Sequence, residues 1–162
     1  MVDQSLRAFM SSLEKTGELK RITRNVDARF EIAAVLSLRE RGPAQLFAHV
    51  SGSSLPVIGN LFNARARFAQ ALQIKAKELD AVCLHALQNP VRPVLVEDAP
   101  VQSVVHHAPF DLGTLLPVPH WFEKESAPYI TAGVIVAKDP ETGRRNVSIA
   151  RLRLEGGGRI MA

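Results

Sequence analysis

The sequence predicts an α/β protein whose N-terminal α/β domain is followed by the first strands of an antiparallel β-domain. Helical periodicity and strand-like alternation succeed one another up to about residue 108. Several prolines then interrupt a stretch without helical periodicity, and two β-rich runs follow at 130–137 and 146–154. We therefore place a boundary near residues 108–115, which divides the chain into domains 1–108 and 109–162.

The first two elements are a helix and a strand. A helix is predicted from about residue 3 to residue 16, because its apolar residues recur on one face: Leu6, Phe9, Met10 and Leu13. Asp3 or Ser5 can cap its beginning, and Gly17 can end it. The alternating segment 18–23 then predicts a half-buried strand.

A second helix is predicted after Asp27, which has a side chain suited to capping. Its expected inner side consists of Phe30, Ala33, Ala34 and Leu38. Gly42-Pro43 is expected to stop it.

The remaining elements of the first domain are short. Turn-forming residues 51–54 separate two predicted strands, 45–50 and 57–61. Asn63 is predicted to cap a third helix that extends to about Gln73. Further predicted elements are a helix over 77–87 and two extended pieces, 92–97 and 101–106.

Composition and charge exclude several classes of protein. Hydrophobic residues make up 46% and charged residues 22% of the 162 residues, which is typical of a globular chain. No apolar run reaches the roughly 18 residues of a membrane span, and the N-terminus lacks the pattern of an export signal. The single Cys83 cannot form an internal disulfide, so we expect a protein of the reducing cytoplasm. Because Cys83 lies in an apolar helical pattern, we also expect its thiol to be buried. The net charge of +4 is scattered without interleaved aromatic residues, which argues against nucleic-acid binding.

The histidines give no clear metal site. His106 and His107 are adjacent and would point to opposite faces of a strand, one buried and one exposed. His49 and His85 are isolated and favour packing or surface roles. His120 lies in a proline-rich loop, where structural and functional roles are equally open. Phosphate-loop, Gly-x-Gly-x-x-Gly, Cys-x-x-Cys and His-Glu-x-x-His motifs are absent, and Gly156-Gly157-Gly158 reads as a flexible turn.

The segment with the strongest functional indication is the last predicted strand. Asn146, Ser148 and Ala150 share one face, whereas Val147, Ile149 and Arg151 share the other. An Asn oxygen is a hard ligand suited to Mg²⁺, Mn²⁺ or K⁺, particularly beside a phosphate. Arg151 stands among apolar residues and needs a carboxylate or phosphate partner. On pattern alone, a half-buried strand with a structural arginine remains the simpler interpretation.

The order and spacing of several segments resemble the UbiD-like decarboxylases, which use prenylated FMN to remove or add CO2 on aromatic and unsaturated acids. The resemblance covers essentially the whole chain. Its most specific part is Asn146-x-Ser148-Ile149-x-Arg151. The other matching segments are Leu6-Arg7-Ala8-Phe9, Gly17-Glu18-Leu19, Val26-Asp27, Glu31-Ile32-Ala33-Ala34, Pro56 to Phe62, Leu116 to Pro119, Tyr129-Ile130-Thr131 with Gly133, and Asp139 to Gly143.

This resemblance implies roles for five residues of the last predicted strand: Asn146, Ser148, Ile149, Ala150 and Arg151. Asn146 would bind a divalent metal, Mn²⁺ or a similar ion with K⁺ as a further candidate, that holds the cofactor phosphate. Ser148, Ile149 and Ala150 would line the prenylated FMN, and Arg151 would bind the flavin and act as the catalytic arginine. The β-rich segment would begin a split β-barrel of the FMN-binding type. The partners would be a carboxylic acid and CO2, in a homo-oligomer.

The sequence departs from that family in two respects. Glu125-Ser126-Ala127 stands where the family has Asp-Ala-Gly. The remaining metal ligands and acidic residues would lie beyond Ala162, so we expect a truncated barrel and an inactive chain in isolation. The alternative hypothesis is a non-catalytic accessory or assembly subunit with the same N-terminal fold.

Overall fold

The computed structural model describes residue 3 and residues 5–162. The described residues form two three-stranded sheets, ordered β1-β2-β3 and β4-β5-β6. The elements, in chain order, are α1 (Leu6–Lys15), β1 (Leu19–Val26), α2 (Glu31–Leu38), β2 (Ala44–Val50), β3 (Val57–Gly59), α3 (Arg65–Leu72), α4 (Leu79–Gln88), α5 (Leu112–Leu115), β4 (Tyr129–Lys138), β5 (Arg145–Leu154) and β6 (Ile160–Met161). This mixed architecture confirms the predicted α/β class.

Contacts between Cα atoms group the chain into two units, each discontinuous in sequence. The first comprises residues 1–21, 39–46 and 58–106, and the second comprises residues 22–38, 47–57 and 107–162. The division into domains 1–108 and 109–162 therefore stays a prediction.

The first unit has a small apolar core around α1. Phe9 and Leu13 pack with residues of β1 and β2, namely Leu19, Ala44 and Leu46. The Ser5 hydroxyl accepts a hydrogen bond from the Ala8 amide and caps the helix. Gly17 follows the last turn with φ of 74°, a conformation that glycine adopts without strain. The predicted helix and both of its ends are confirmed.

The cap predicted for α3 is wrong. The residue before this helix is Ala64, and it makes no side-chain cap. The Asn63 amide instead donates to the Glu40 and Gly42 carbonyl oxygens, and its side-chain oxygen accepts from Arg67. The buried Arg67 guanidinium draws Asn63 into this network and away from the helix end.

The inner face predicted for α2, in the second unit, is also wrong. Ile32 and Leu36 are buried with Val26, Phe47 and Val50, whereas Leu38 is 84% exposed and Ala34 is exposed. The helix begins only at Glu31, because Phe30 has φ of 68° and is not helical. The Asp27 carboxylate accepts from the Arg29 amide ahead of the helix, so the buried face differs from the predicted one.

Residues 79–106 contradict two further predictions. Cys83 on α4 is exposed, as are Leu84 and Leu87, so the expected buried thiol is wrong. The apolar pattern of Leu79, Val82, Cys83 and Leu87 predicts a core face, but only Leu79 of α4 is buried. The extended piece predicted over 101–106 is wrong at its beginning, because Pro100–Gln102 forms a 3-10 turn. Residues 92–97 belong to neither sheet.

The second sheet is built on the predicted hairpin. β4 and β5 pair antiparallel over almost their full length, and β6 adds a short pairing to the end of β5. In the connecting turn, the Asp139 carboxylate accepts from the Glu141 and Thr142 amides, both at 2.8 Å. The hairpin is confirmed, and its extension into a split β-barrel stays a prediction.

The loop between β5 and β6 contains the three glycines, and its contacts explain its shape. Gly156 and Gly157 have φ of 81° and 58°. The Gly157 amide donates to the Asp111 carboxylate, and the Leu112 amide donates to the Gly157 carbonyl oxygen. These bonds fit the predicted turn. Among the residues described, no helix is long and apolar enough to cross a membrane.

Candidate active-site strand

The five predicted site residues lie on β5, with side chains on both faces of the sheet. Ser148 pairs with Ile135 of β4, and Ile149 pairs with Val134. Residues that pair directly across an antiparallel ladder share a face. The register therefore puts Asn146, Ser148 and Ala150 on one face, and Ile149 and Arg151 on the other, as the alternation predicts.

The first face presents two unengaged polar side chains. Asn146 and Ser148 are exposed, and within residues 3 and 5–162 neither side chain has a hydrogen-bond partner. Ala150 is half-buried beside Gly133, where a Cβ atom would lie 2.5 Å from Leu152 Cδ1 and 3.0 Å from the Ala150 oxygen. Gly133 thus permits the close approach of the two strands.

The second face holds Arg151 at an irregularity in the hairpin. Ile130 pairs with Leu152 and Gly133 pairs with Ala150, so two residues of β4, Thr131 and Ala132, oppose Arg151 alone. This is a β-bulge, which bends a strand and redirects the nearby side chains.

Two groups lie close to the Arg151 guanidinium. Nη1 is 4.0 Å from Glu125 Oε1, and the guanidinium carbon is 5.8 Å from the centroid of the Tyr129 ring. The Arg151 side chain is 66% exposed, so its other N–H groups remain accessible. The sequence predicts a carboxylate or phosphate partner for Arg151, and the nearest carboxylate in the described residues is that of Glu125.

A second arginine on this face has no counterpart in the sequence-based prediction. Arg153, opposite Tyr129, pairs with Glu155 and donates to Ser126 Oγ at 3.3 Å. The hydrogen bond to Glu155 raises the pKa of Arg153. The i, i+2 spacing of two arginines on one strand was the available signal for this pair.

The histidines take structural or surface positions. The His120 backbone donates to the Ala28 oxygen and accepts from the Phe30 amide, and its ring meets the Phe30 ring edge-on at 5.1 Å. His106 and His107 are both exposed, which contradicts the expectation that one is buried. In the part of the chain that the structure describes, no three His, Cys, Asp or Glu residues are grouped to hold a metal ion.

Comparison with known proteins matches both parts of this chain to models of one family. A protein-family model, the 3-octaprenyl-4-hydroxybenzoate carboxy-lyase N-terminal domain, matches residues 10–87. A second family model, the Rift-related domain of the same carboxy-lyase, matches residues 93–162. The chain belongs to the UbiD family. The family assignment made from the sequence is thereby confirmed.

Individual relatives are similar to this chain over nearly its whole length. An uncharacterised protein in the cooM 5′ region of Rhodospirillum rubrum is 37% identical over 161 residues, which are 96% of this chain and 34% of that protein. An evolved dimeric form of the UbiD-class enzyme HmfF from Pelotomaculum thermopropionicum, in complex with prFMN, is 36% identical with a TM-score of 0.92, covering 99% of this chain and 38% of that one.

A third relative is a decarboxylase of known substrate. Apo 3,4-dihydroxybenzoic acid decarboxylase from Klebsiella pneumoniae is 27% identical with a TM-score of 0.83, over 95% of this chain and 35% of that one. The chain thus spans about a third of the length of these relatives.

Proposed function

We propose that this chain forms the leading part of a non-oxidative carboxy-lyase that acts on an aromatic or α,β-unsaturated carboxylic acid with prenylated FMN. The observation that supports this most directly is the exposed Asn146-x-Ser148-Ile149-x-Arg151 segment of β5. The finer parts of the proposal are the flavin, a Mn²⁺-type metal or K⁺, homo-oligomerisation and a cytoplasmic location.

The first face of β5 fits a phosphate and metal site. The Asn146 amide oxygen is a hard ligand, and Ser148 can donate its hydroxyl to an anion. Both side chains are exposed and unengaged within the described residues, so neither must break a bond to bind. Asn146 would be one ligand among several.

The second face fits the substrate carboxylate. Arg151 lies opposite the bulge of β4 with its side chain 66% exposed, and a guanidinium can bind a carboxylate through two parallel hydrogen bonds. Prenylated FMN, when bound, supplies the electron sink that loss of CO2 requires. Arg151 would orient the acid so that the bond to be broken is correctly placed, and it would lower the pKa of a nearby acidic group, which favours transfer of that group's proton to the product.

One edge of β5 is accessible from both faces of the sheet. β4 occupies the other edge, and β6 pairs only with Arg153 and Leu154. Among described residues, the backbone of β5 before Arg153 is therefore unpaired on one side. A ligand that contacts Ser148 on one face and Ile149 on the other would approach this edge.

Arg151 variants of the full-length polypeptide test the proposal. We expect Arg151→Ala to abolish decarboxylation with little change in the thermal midpoint, because it removes an exposed charge and few apolar contacts. Arg151→Lys should restore little, because an ammonium lacks the planar fork. Turnover per bound flavin and the thermal midpoint are the measurements.

The matched control is Arg145→Ala, an exposed arginine at the beginning of the same strand. It should retain normal turnover. Near-normal turnover of folded Arg151→Ala would remove Arg151 from the mechanism. A wild-type full-length protein that binds no flavin and turns over no acid would favour the accessory-subunit alternative.

Asn146→Ala tests the metal and phosphate site. The full-length variant should retain much less metal and flavin through purification, because an oxygen ligand is lost. Metal analysis and the ultraviolet–visible spectrum provide the readout. Gln88→Ala removes an exposed amide at the end of α4 and should leave both unchanged. A variant with wild-type metal content and spectrum would refute the role of Asn146.

A further inference from the structure

We propose that Glu125 is a positioning residue that orients the Arg151 guanidinium, an inference that rests on the function proposed for Arg151. The two side chains approach to 4.0 Å between Nη1 and Oε1. They differ in exposure, because the Glu125 side chain is 18% exposed and that of Arg151 is 66% exposed. The carboxylate is thus the fixed member of the pair, and the guanidinium is the member that reaches solvent.

The two oxygens of the Glu125 carboxylate have separate contacts. Oε2 accepts from the Phe122 amide at 3.3 Å, while Oε1 faces Arg151. The Glu125 amide in turn donates to the Phe122 carbonyl oxygen at 3.1 Å. This pair of bonds closes a tight turn and leaves one oxygen directed at the guanidinium.

The loop that bears Glu125 is attached at several points to the body of the second unit. The Glu125 carbonyl oxygen lies 3.1 Å from His120 Nε2, a hydrogen bond when that nitrogen is protonated. His120 is itself bonded through its backbone to Ala28 and Phe30. Trp121 Nε1 donates to the Tyr129 carbonyl oxygen at the other end of the loop. The position of the carboxylate is therefore set by the fold.

Arg151 lies near both this carboxylate and the Tyr129 ring, and neither contact is a hydrogen bond. A separation of 4.0 Å is an ion pair but too long for a hydrogen bond, so the guanidinium N–H groups remain available. Arg153 differs, because a hydrogen bond to Glu155 already occupies its guanidinium. An ion pair without a hydrogen bond suits Arg151, which must keep one orientation and still have N–H groups free to bind a substrate carboxylate.

Glu125→Gln in the full-length, flavin-loaded enzyme is the test. Glutamine retains an oxygen for the Phe122 amide and removes only the charge. We expect kcat to fall about tenfold, because a small displacement of an orienting group lowers the reaction rate strongly. The KM for the acid should change less than about threefold. The thermal midpoint and flavin content should stay at wild-type values. Glu125→Asp, which keeps the charge, should recover most of the lost kcat.

Two further measurements complete the design. Glu123→Gln makes the same change at an exposed carboxylate two residues away and should leave kcat and KM unchanged. A crystal structure of the flavin-free full-length Glu125→Gln variant should show the Arg151 guanidinium displaced from the Tyr129 ring.

The outcomes separate this inference from the function it rests on. Unchanged kcat in Glu125→Gln, or a lowered thermal midpoint with normal kcat per flavin, would overturn the role of Glu125 while leaving that of Arg151 intact. A raised KM with unchanged kcat would equally overturn it, because orientation would then be unaffected. Normal turnover in Arg151→Ala would overturn the proposed function itself.

Discussion

Arg67 shows how a single buried charge organises the first unit. Its guanidinium makes four hydrogen bonds, to Glu18 Oε2, Asn63 Oδ1 and the carbonyl oxygens of Gly42 and Asn60, at 2.6 to 2.8 Å. The side chain is only 6% exposed. The contacts reach residues before β1, after α2 and before α3, so one side chain connects distant segments of the chain.

Removing Arg67 should therefore destabilise the protein substantially. We expect Arg67→Ala to lower the free energy of unfolding by about 3 kcal/mol, because carbonyl oxygens that it satisfies lose their donor. Arg67→Lys should recover less than half of the loss, because one ammonium cannot reach four acceptors of this geometry. Urea unfolding is the measurement.

Arg65→Ala is the matched control two residues away. Its ion pair with Asp80 lies at 2.6 Å, but both side chains are largely exposed. Solvent and salt screen such an exposed pair, so it contributes little to stability and its loss should leave the urea midpoint almost unchanged. Equal losses in Arg65→Ala and Arg67→Ala would show that the buried network adds no special stability.

At the residue scale, the sequence predicted which kind of group a side chain would bind better than it predicted which residue would supply that group. An arginine among apolar strand residues needs an anion, and this much followed from Arg151 alone. The choice of Glu125 could not be predicted, because its loop is positioned by the backbone hydrogen bonds of His120 to Ala28 and Phe30, which are far away in sequence. The cap predicted for Asn63 was wrong for the same reason, because its side chain donates to the distant Glu40 and Gly42 carbonyl oxygens.

At the scale of elements, α5 and the glycine loop depend on one carboxylate. Asp111 accepts from the Gly113 and Thr114 amides at the beginning of α5 and from the Gly157 amide of the loop. These backbone hydrogen bonds, with that of Gly157 first, hold the pKa of Asp111 below its usual 3.8. The ionised form is therefore favoured by folding.

The sign of this linkage gives a pH-dependent prediction. A carboxyl whose pKa is lowered on folding adds stability above its usual pKa, and this contribution disappears as the pH falls through the lowered value. Asp111→Asn should be less stable than wild type at neutral pH, and the difference should shrink below pH 3.8. Thermal unfolding measured over a series of pH values provides the check. Asp98→Asn, at an exposed carboxylate, should show no such trend; a constant difference for Asp111→Asn would contradict the prediction.

Helices and strands were predictable to different degrees. The hairpin and α1 followed from local signals, namely alternation, turn residues and a cap. The buried face of α2 could not be predicted from local signals, because it depends on where the helix begins. Phe30 has a left-handed backbone conformation, so the helix begins at Glu31 and not directly after Asp27. The apolar residues on α4 predicted a core face, but Cys83 and Leu87 are exposed.

At the scale of the whole molecule, the hairpin displays an apolar face. Four branched side chains of β4 and β5 form cross-strand pairs on this face and are 59% to 80% exposed: Val134, Val136, Val147 and Ile149. Exposed β-branched residues on a sheet favour association with other apolar surfaces.

The 162-residue chain should consequently self-associate as its concentration rises. Replacing the cross-strand pair Val136 and Val147 with threonine keeps the β-branched shape while making the face more polar. We expect this double variant to sediment with less concentration dependence than the wild type and to enhance the fluorescence of an apolar dye less, with an unchanged circular dichroism spectrum. Leu38→Thr, at an exposed position on α2, should have little effect, since a single exposed apolar residue forms no patch. If the wild-type chain sedimented as a monomer at every concentration, or if Leu38→Thr had the same effect as the double variant, the hairpin face would not be the surface that drives association.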